Sequence, residues 1–150
     1  MQDQVPPSTD MTSQRDLVIG SVAAICTMAL GGYLCALAVD RFGEMGGVSF
    51  WLLGWVAGSI AKALMSRPRK QIGYAMAISV VMAMLIAEVC WIRWNIKDVD
   101  SWSKAVSLFP QFCREYQISV ISAALFTFFG ASSAYSQAGK RYRLVEVVED

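Results

Sequence analysis

The feature that most constrains this chain is a series of four apolar stretches separated by short polar segments. They cover residues 17–39, 46–65, 73–94 and 117–135. A helix rises ~1.5 Å per residue, so ~20 residues are enough to cross the ~30 Å hydrocarbon layer of a membrane. Because lipid cannot hydrogen-bond to a backbone, a stretch that crosses it has to be helical. The sequence therefore predicts an all-α fold, an integral membrane four-helix bundle.

Composition supports this class. Apolar residues make up 55% of the 150-residue chain, and the mean hydropathy is +0.43, which is high for a soluble domain. We expect one transmembrane domain over residues 17–139, a disordered polar tail over 1–16 and a charged cytoplasmic tail over 140–150. The first stretch is uncharged and longer than the ~7–15 residues of a signal-peptide core, which favours a retained helix over a cleaved signal.

Small residues recur at helical spacing in the stretches, which predicts close helix packing. Helices in lipid associate through close packing, so glycine and alanine mark their contacts. The predicted packing residues in the first two helices are Gly20, Ala24, Gly31, Gly54, Gly58 and Ala61. The row in the first helix continues to Ala38 at heptad-like spacing, and we expect Gly54 and Gly58 to contact it. Comparable rows in the third and fourth helices contain Ala75, Ser79, Ala83 and Ala87, and Ser119, Ala123, Thr127, Gly130 and Ala134.

The longest connection, residues 95–116, predicts a short interfacial helix between helices 3 and 4. Its apolar residues recur at near-helical spacing, with serines and a lysine between them: Trp102, Ala105, Val106, Phe109 and Phe112. This pattern is typical of an amphipathic helix that lies in the membrane interface. Pro110 is expected to interrupt its later part. A lid or docking surface is the functional alternative to a simple connector.

Basic residues predict the orientation. Four spanning helices place both termini on one side, and that side holds eight Lys and Arg residues against five on the other. Because positive charge is retained in the cytoplasm, we predict a multi-pass protein of the cell inner (cytoplasmic) membrane with both termini cytoplasmic. The basic residues in the last turn of the second helix and in the turn after it are expected to meet lipid headgroups, or to act only as topogenic charge. They are Lys62, Arg67, Arg69 and Lys70.

Glu88 is the one carboxylate well inside an apolar stretch. Ionisable side chains within a membrane often mark a substrate or proton pathway, so Glu88 is a candidate functional carboxylate. The structural interpretation is that Glu88 is held near the outer interface by a basic group or stays protonated. The candidate partners are Arg41, Arg93 and Arg114.

Several function classes lack their characteristic residues. A net charge of +1 gives no sign of the basic surface that binds nucleic acid. The chain has no histidine, the commonest metal ligand and general base, and we predict no metal, cofactor or catalytic site. The four cysteines contain no CxxC pair, which argues against disulfide exchange built on that motif. Whether Cys90 and Cys113 pair in an oxidising compartment stays open.

The segment FGEMGGVSFWLLGWVAGSIAKAL, the basic turn after it and the later Trp-containing connection resemble small multi-pass bacterial membrane proteins of uncharacterised function. The resemblance spans most of residues 17–139 and implies no activity. Small multidrug transporters also have four helices, but their essential glutamate lies in the first helix, which here is uncharged. We therefore expect a non-catalytic accessory or packing component of a membrane assembly. Its partners would be lipid and other membrane subunits or further copies, and the alternative is a small transporter or proton-handling protein that uses Glu88.

Overall fold

Helices make up nearly all of the described chain. The computed structural model describes residues 8–65 and 69–139, and no strand occurs within those two ranges. The predicted all-α class is confirmed for that part of the chain. In chain order the elements are α1 (Ser8–Cys26), a π-helical turn (Thr27–Gly31), α2 (Gly32–Phe42), a 3₁₀ turn (Gly43–Gly47), α3 (Val48–Leu64), α4 (Lys70–Asn95), α5 (Trp102–Glu115) and α6 (Gln117–Gly139).

Four helical segments are long and apolar enough to cross a membrane, in agreement with the sequence. They are Gln14–Phe42, Met45–Leu64, Lys70–Asn95 and Gln117–Gly139. Three of the four extend beyond the predicted ends, because polar residues at either end continue the helix past its apolar centre.

The predicted disordered tail does not hold from Ser8 onward, since α1 begins there. Serine, threonine and aspartate suit the start of a helix, where the first backbone N–H groups have no partner within the helix. Asp16 is already part of the packed structure, with 2% of its surface exposed. The remainder of the two predicted tails, 1–7 and 140–150, lies outside the described residues.

The first span changes register at the π-helical turn between α1 and α2. The Thr27 hydroxyl donates to the Ala23 carbonyl over 2.8 Å, and two glycines follow, a combination that loosens the α-helical hydrogen-bond ladder. A π turn inserts one extra residue, so the buried face moves by one position. After the turn, the buried residues of α2 are Gly32, Cys35 and Ala36. Ala38, the predicted end of the row, is only half-buried.

The Gly43–Gly47 turn folds α3 back against α2. Gly43 has a φ of +58°, which glycine adopts without strain. Gly46 lies so close to α2 that an added Cβ would lie 2.7 Å from the Ala38 carbonyl oxygen. These two glycines explain how a single short turn can reverse the chain.

α4 is the most enclosed of the four spans. Of its most apolar 18 residues, 50% are buried, against 22% for α6. The first span runs parallel to α4, because Gly20 lies against Ile72 and Gly32 lies further along against Ala83. At their far ends, Asn95 Nδ2 donates to Asp40 Oδ1 over 2.8 Å.

α3 and α6 pack in direct backbone contact. A Cβ added at Gly54 would overlap the backbone of Gly130, and a Cβ added at Gly130 would overlap the Phe50 carbonyl oxygen. One turn further on, a Cβ at Gly58 would lie 2.8 Å from the Ala134 Cα. The expectation that Gly54 and Gly58 contact the first helix is therefore wrong, since their neighbour is α6. The small-residue row of α6 is complementary to that of α3, and the first helix turns its own row mainly towards α4.

Candidate functional site

Glu88 is buried, with 5% of its surface exposed, and it lines a cavity of about 200 Å³. The cavity lies where the end of α2, the 3₁₀ turn, α4, α5 and the start of α6 meet. Its lining residues are Val39, Gly43, Gly47, Glu88, Trp91, Phe112, Tyr116, Ser119 and Ala123. Among these residues Glu88 carries the one formal charge, and most of the others are apolar or aromatic.

Three aromatic rings form one wall of the cavity. Trp91 follows Glu88 by almost one turn of α4, while Phe112 and Tyr116 lie four residues apart at the end of α5. The Trp91 and Phe112 ring centroids are 5.4 Å apart, those of Trp91 and Tyr116 are 5.7 Å apart, and Phe112 stacks on Tyr116 at 5.0 Å. These separations are typical of stabilising aromatic pairs. The cluster joins α5 to α4 and lines the same cavity as Glu88.

α5 packs against the end of α4, next to this cavity. Ala105 and Phe112 of α5 are buried and pack with Ile92 and Val99. The helix continues through Pro110 to Glu115, so the expected interruption at Pro110 is wrong. The missing N–H leaves the carbonyl of Val106 without its helical donor, and this cost is tolerable because Val106 is on the exposed side of α5, with 58% of its surface exposed.

Arg93 anchors the start of α5 and does not pair with Glu88. Arg93 Nη1 donates to the Val99 carbonyl oxygen, and the guanidinium carbon lies 5.9 Å from the centre of the Trp102 ring. At the start of α5, Ser101 accepts a capping hydrogen bond from the Lys104 backbone N–H at 3.3 Å. The connection between α4 and α5 is thereby held at both ends.

No cationic side chain within the described residues forms an ion pair with Glu88. Of the three arginines that the sequence offers as partners, Arg93 is engaged with the α5 segment, and Arg41 and Arg114 are exposed. The expected basic partner of Glu88 is therefore not among the described residues. The carboxyl group does act on Cys113 of α5: burial and the charge of Glu88 raise the pKa of this half-buried thiol.

The other residues singled out by the sequence lie apart from this cavity. The predicted packing residues Gly20, Gly31, Gly54, Gly58 and Ala61 are buried between helices, and Ala24 is half-buried. Lys62 and Lys70 are exposed and Arg69 is half-buried near the opposite end of α4, while Arg67 lies outside the described residues. The packing residues, the basic residues and the cavity lined by Glu88 therefore lie in three different parts of the structure.

Sequence reasoning identified Glu88 but missed its surroundings. Of the three rings in the wall, the sequence pattern predicts a position for Phe112, on the apolar face of the interfacial helix. A signal was present, since Trp91 follows Glu88 by three residues and therefore lies on a nearby part of the helix surface. The contribution of Phe112 and Tyr116 depends on how α5 folds back, which local spacing does not specify.

The described residues contain no group of three or more His, Cys, Asp or Glu side chains that could hold a metal ion. All four cysteines are free, so Cys90 and Cys113 do not form a disulfide in this structure. In comparisons with known proteins, no family model, no curated protein and no solved structure matches this chain.

Proposed function

We propose that this chain is a multi-pass protein of a bacterial inner membrane whose four spans form a helix bundle. The support is the distribution of its large apolar side chains, many of which lie outside the packed helix contacts. On α6 they form a continuous exposed ridge at three- and four-residue spacing: Ile118, Ile121, Leu125, Phe128 and Phe129. In water such a ridge would be a large apolar patch, whereas in a membrane it faces lipid or other helices.

The proposed orientation has both termini in the cytoplasm. The spans alternate in direction, with the first span parallel to α4 and α3 parallel to α6, and the positive charges favour this orientation. The basic residues Lys62, Arg69 and Lys70 would then meet cytoplasmic lipid headgroups. The cavity and α5 would lie at the outer end, with α5 in the interface and its exposed Trp102 and Val106 at headgroup depth.

The function that we propose is that of a non-catalytic accessory or packing component of a membrane assembly. The observation that carries it is the contrast within α6: one side packs on α3 through Gly130 and Ala134, and the other presents the exposed ridge. Because α3 occupies the small-residue side of α6, another subunit or a second copy would meet α6 at this exposed ridge.

Photo-crosslinking tests this proposal. A photoreactive residue at Leu125, in the centre of the ridge, should give a discrete crosslinked species in native membranes, either to another subunit or to a second copy. The matched control is the same residue at Ile78 of α4, whose side chain is 62% exposed but lies outside the α6 ridge. Crosslinks to lipid alone at Leu125 would reject the accessory role.

The cavity favours a second candidate function, a small transporter or proton-handling protein that uses Glu88. A buried carboxylate in a cavity at the end of a span is a common element of transport pathways. Proteoliposomes that carry the wild-type chain would show a substrate- or proton-coupled flux, and Glu88→Gln would abolish it while leaving folding unchanged. Absence of any flux with wild-type protein would remove this candidate and leave the packing role.

A further inference from the structure

We infer that the cavity beside Glu88 is a binding site for a small organic cation, with an ammonium group held between the carboxylate and the rings of Trp91, Phe112 and Tyr116. This inference deepens the second candidate function, since such a cation is the substrate class that a transporter built on Glu88 would carry. Binding of the cation depends on the cavity alone and does not require that the ligand be moved across the membrane.

Charge is the first argument. Glu88 lines the cavity, and only 5% of its surface is exposed. No cationic side chain within the described residues forms an ion pair with it. A desolvated carboxylate is costly unless a cation or proton meets it. An anion would be repelled, and a neutral apolar molecule would leave the carboxylate unpaired. A positively charged ligand removes this cost directly.

The aromatic wall selects among cations. Ammonium ions with alkyl substituents are attracted to the faces of Trp, Tyr and Phe rings, and aromatic cages recognise them. A bare metal ion needs several oxygen or sulfur ligands, and no described cluster of three acidic or thiol groups exists. Trp91, Phe112 and Tyr116 line the same cavity as Glu88, and their apolar ring surface suits an organic ammonium better than an inorganic cation.

The volume limits the size of the ligand. The cavity measures about 200 Å³, and an apolar cavity of ~150 Å³ is enough to hold benzene. The volume therefore favours a compact amine or quaternary ammonium compound over drug-sized substrates, for which pockets of ~300–1,000 Å³ are typical.

The experiment is a calorimetric titration of the purified full chain in mild detergent. The probe is choline, and the matched neutral compound is its carbon analogue, in which a tert-butyl group replaces the trimethylammonium group. We expect choline to bind at least about tenfold more tightly than the neutral analogue, because only choline offers charge to Glu88 and the rings. Equal affinity, or no binding of choline, would overturn the inference.

Two variants separate the site from a general charge effect. Glu88→Gln should weaken choline binding at least about tenfold, whereas Glu115→Gln, which removes an exposed carboxylate on α5 outside the cavity lining, should leave it unchanged. If Glu88→Gln does not fold, Phe112→Leu serves instead: it keeps the wall apolar and should weaken choline several-fold without changing the neutral analogue. Equal effects of the two Glu variants, or unchanged choline binding in Phe112→Leu, would reject the site. Choline binding without flux in proteoliposomes would support the binding site and reject the transport role.

Discussion

Glu88 is unusual at the scale of single residues because it is buried and forms no ion pair with a cationic side chain of the described residues. Charged side chains in cores are usually paired, because burying an unpaired charge is costly. Burying even a neutral polar group without a hydrogen bond costs on the order of 2–7 kcal/mol, and a charge costs more. Either the carboxyl group carries a proton or it meets a cation from outside the described structure. Its surroundings are an aromatic wall and a cavity of about 200 Å³, which favour the binding of a cation.

Cys113 reports on the charge of Glu88. Burial and the negative charge of Glu88 raise the pKa of the Cys113 thiol, and alkylation proceeds through the thiolate. Glu88→Gln removes the charge, so the pKa of Cys113 should fall and its alkylation should become faster at any pH below that pKa. The measurement is the rate at which a small maleimide alkylates Cys113 between pH 7 and 9. The chain used is one in which Cys26, Cys35 and Cys90 are replaced.

Glu115→Gln is the control for Cys113, because Glu115 is exposed and is not among the charges that act on this thiol. The control should leave the alkylation rate unchanged. If Cys113 is alkylated at the same rate in Glu88→Gln and in the chain that keeps Glu88, then Glu88 carries no charge over that pH range.

At the scale of elements, the sequence predicts where helices pack but not which helix they meet. The buried row Ala123, Thr127, Gly130 and Ala134 of α6 was visible as small residues at helical spacing. The pairing of α3 with α6 depends on which two small faces fit, a property of two distant segments. The register change at the π turn was also invisible, because spacing arguments assume one helical period throughout.

The α3–α6 contact predicts a large effect of side-chain size at Gly130. Gly130→Leu should lower the stability of the chain in detergent by about 1–3 kcal/mol, the range for overpacked cores, because even a Cβ would overlap the Phe50 carbonyl oxygen. Thermal unfolding followed by circular dichroism measures it. Ala124→Leu makes a comparable small-to-large change on the exposed side of α6 and should have little effect; similar losses in both variants would mean that the Gly130 contact is not tight.

Phe112 is a buried contact between α5 and α4, so its removal tests how α5 is held. Phe112 is 5% exposed and contacts both Trp91 and Tyr116. Removing a buried phenylalanine costs about 3–5 kcal/mol in soluble cores, so Phe112→Ala should release α5 and accelerate amide hydrogen exchange over residues 102–115. The exchange of α4 and α6 should change little. Val106→Ala, at an exposed position, should leave α5 protected, and equal protection in both variants would show that Phe112 does not hold α5 against α4.

At the scale of the whole molecule, the number and type of the spans could be predicted and the cavity could not. Four uncharged or nearly uncharged runs of membrane-spanning length allow one solution in lipid, which is helices. The cavity has no such local signature, because Val39, Glu88, Phe112 and Ala123 come from four different elements. Only the folded chain brings the carboxylate and its aromatic wall together.

Orientation in the membrane is the property of the whole molecule that chemical labelling decides. Both termini are expected to be cytoplasmic, which puts the α4–α5 connection outside. In a chain that lacks the four native cysteines, a cysteine at Asp98 or Ser103 should react with a membrane-impermeant maleimide added to intact cells, and one at Gln14 or Lys70 should react only after permeabilisation. All four positions are exposed, so differences in reactivity reflect the side of the membrane and not burial in the protein. Labelling of Gln14 and Lys70 in intact cells, with Asp98 and Ser103 protected, would establish the inverted orientation and move the Glu88 cavity to the cytoplasmic side.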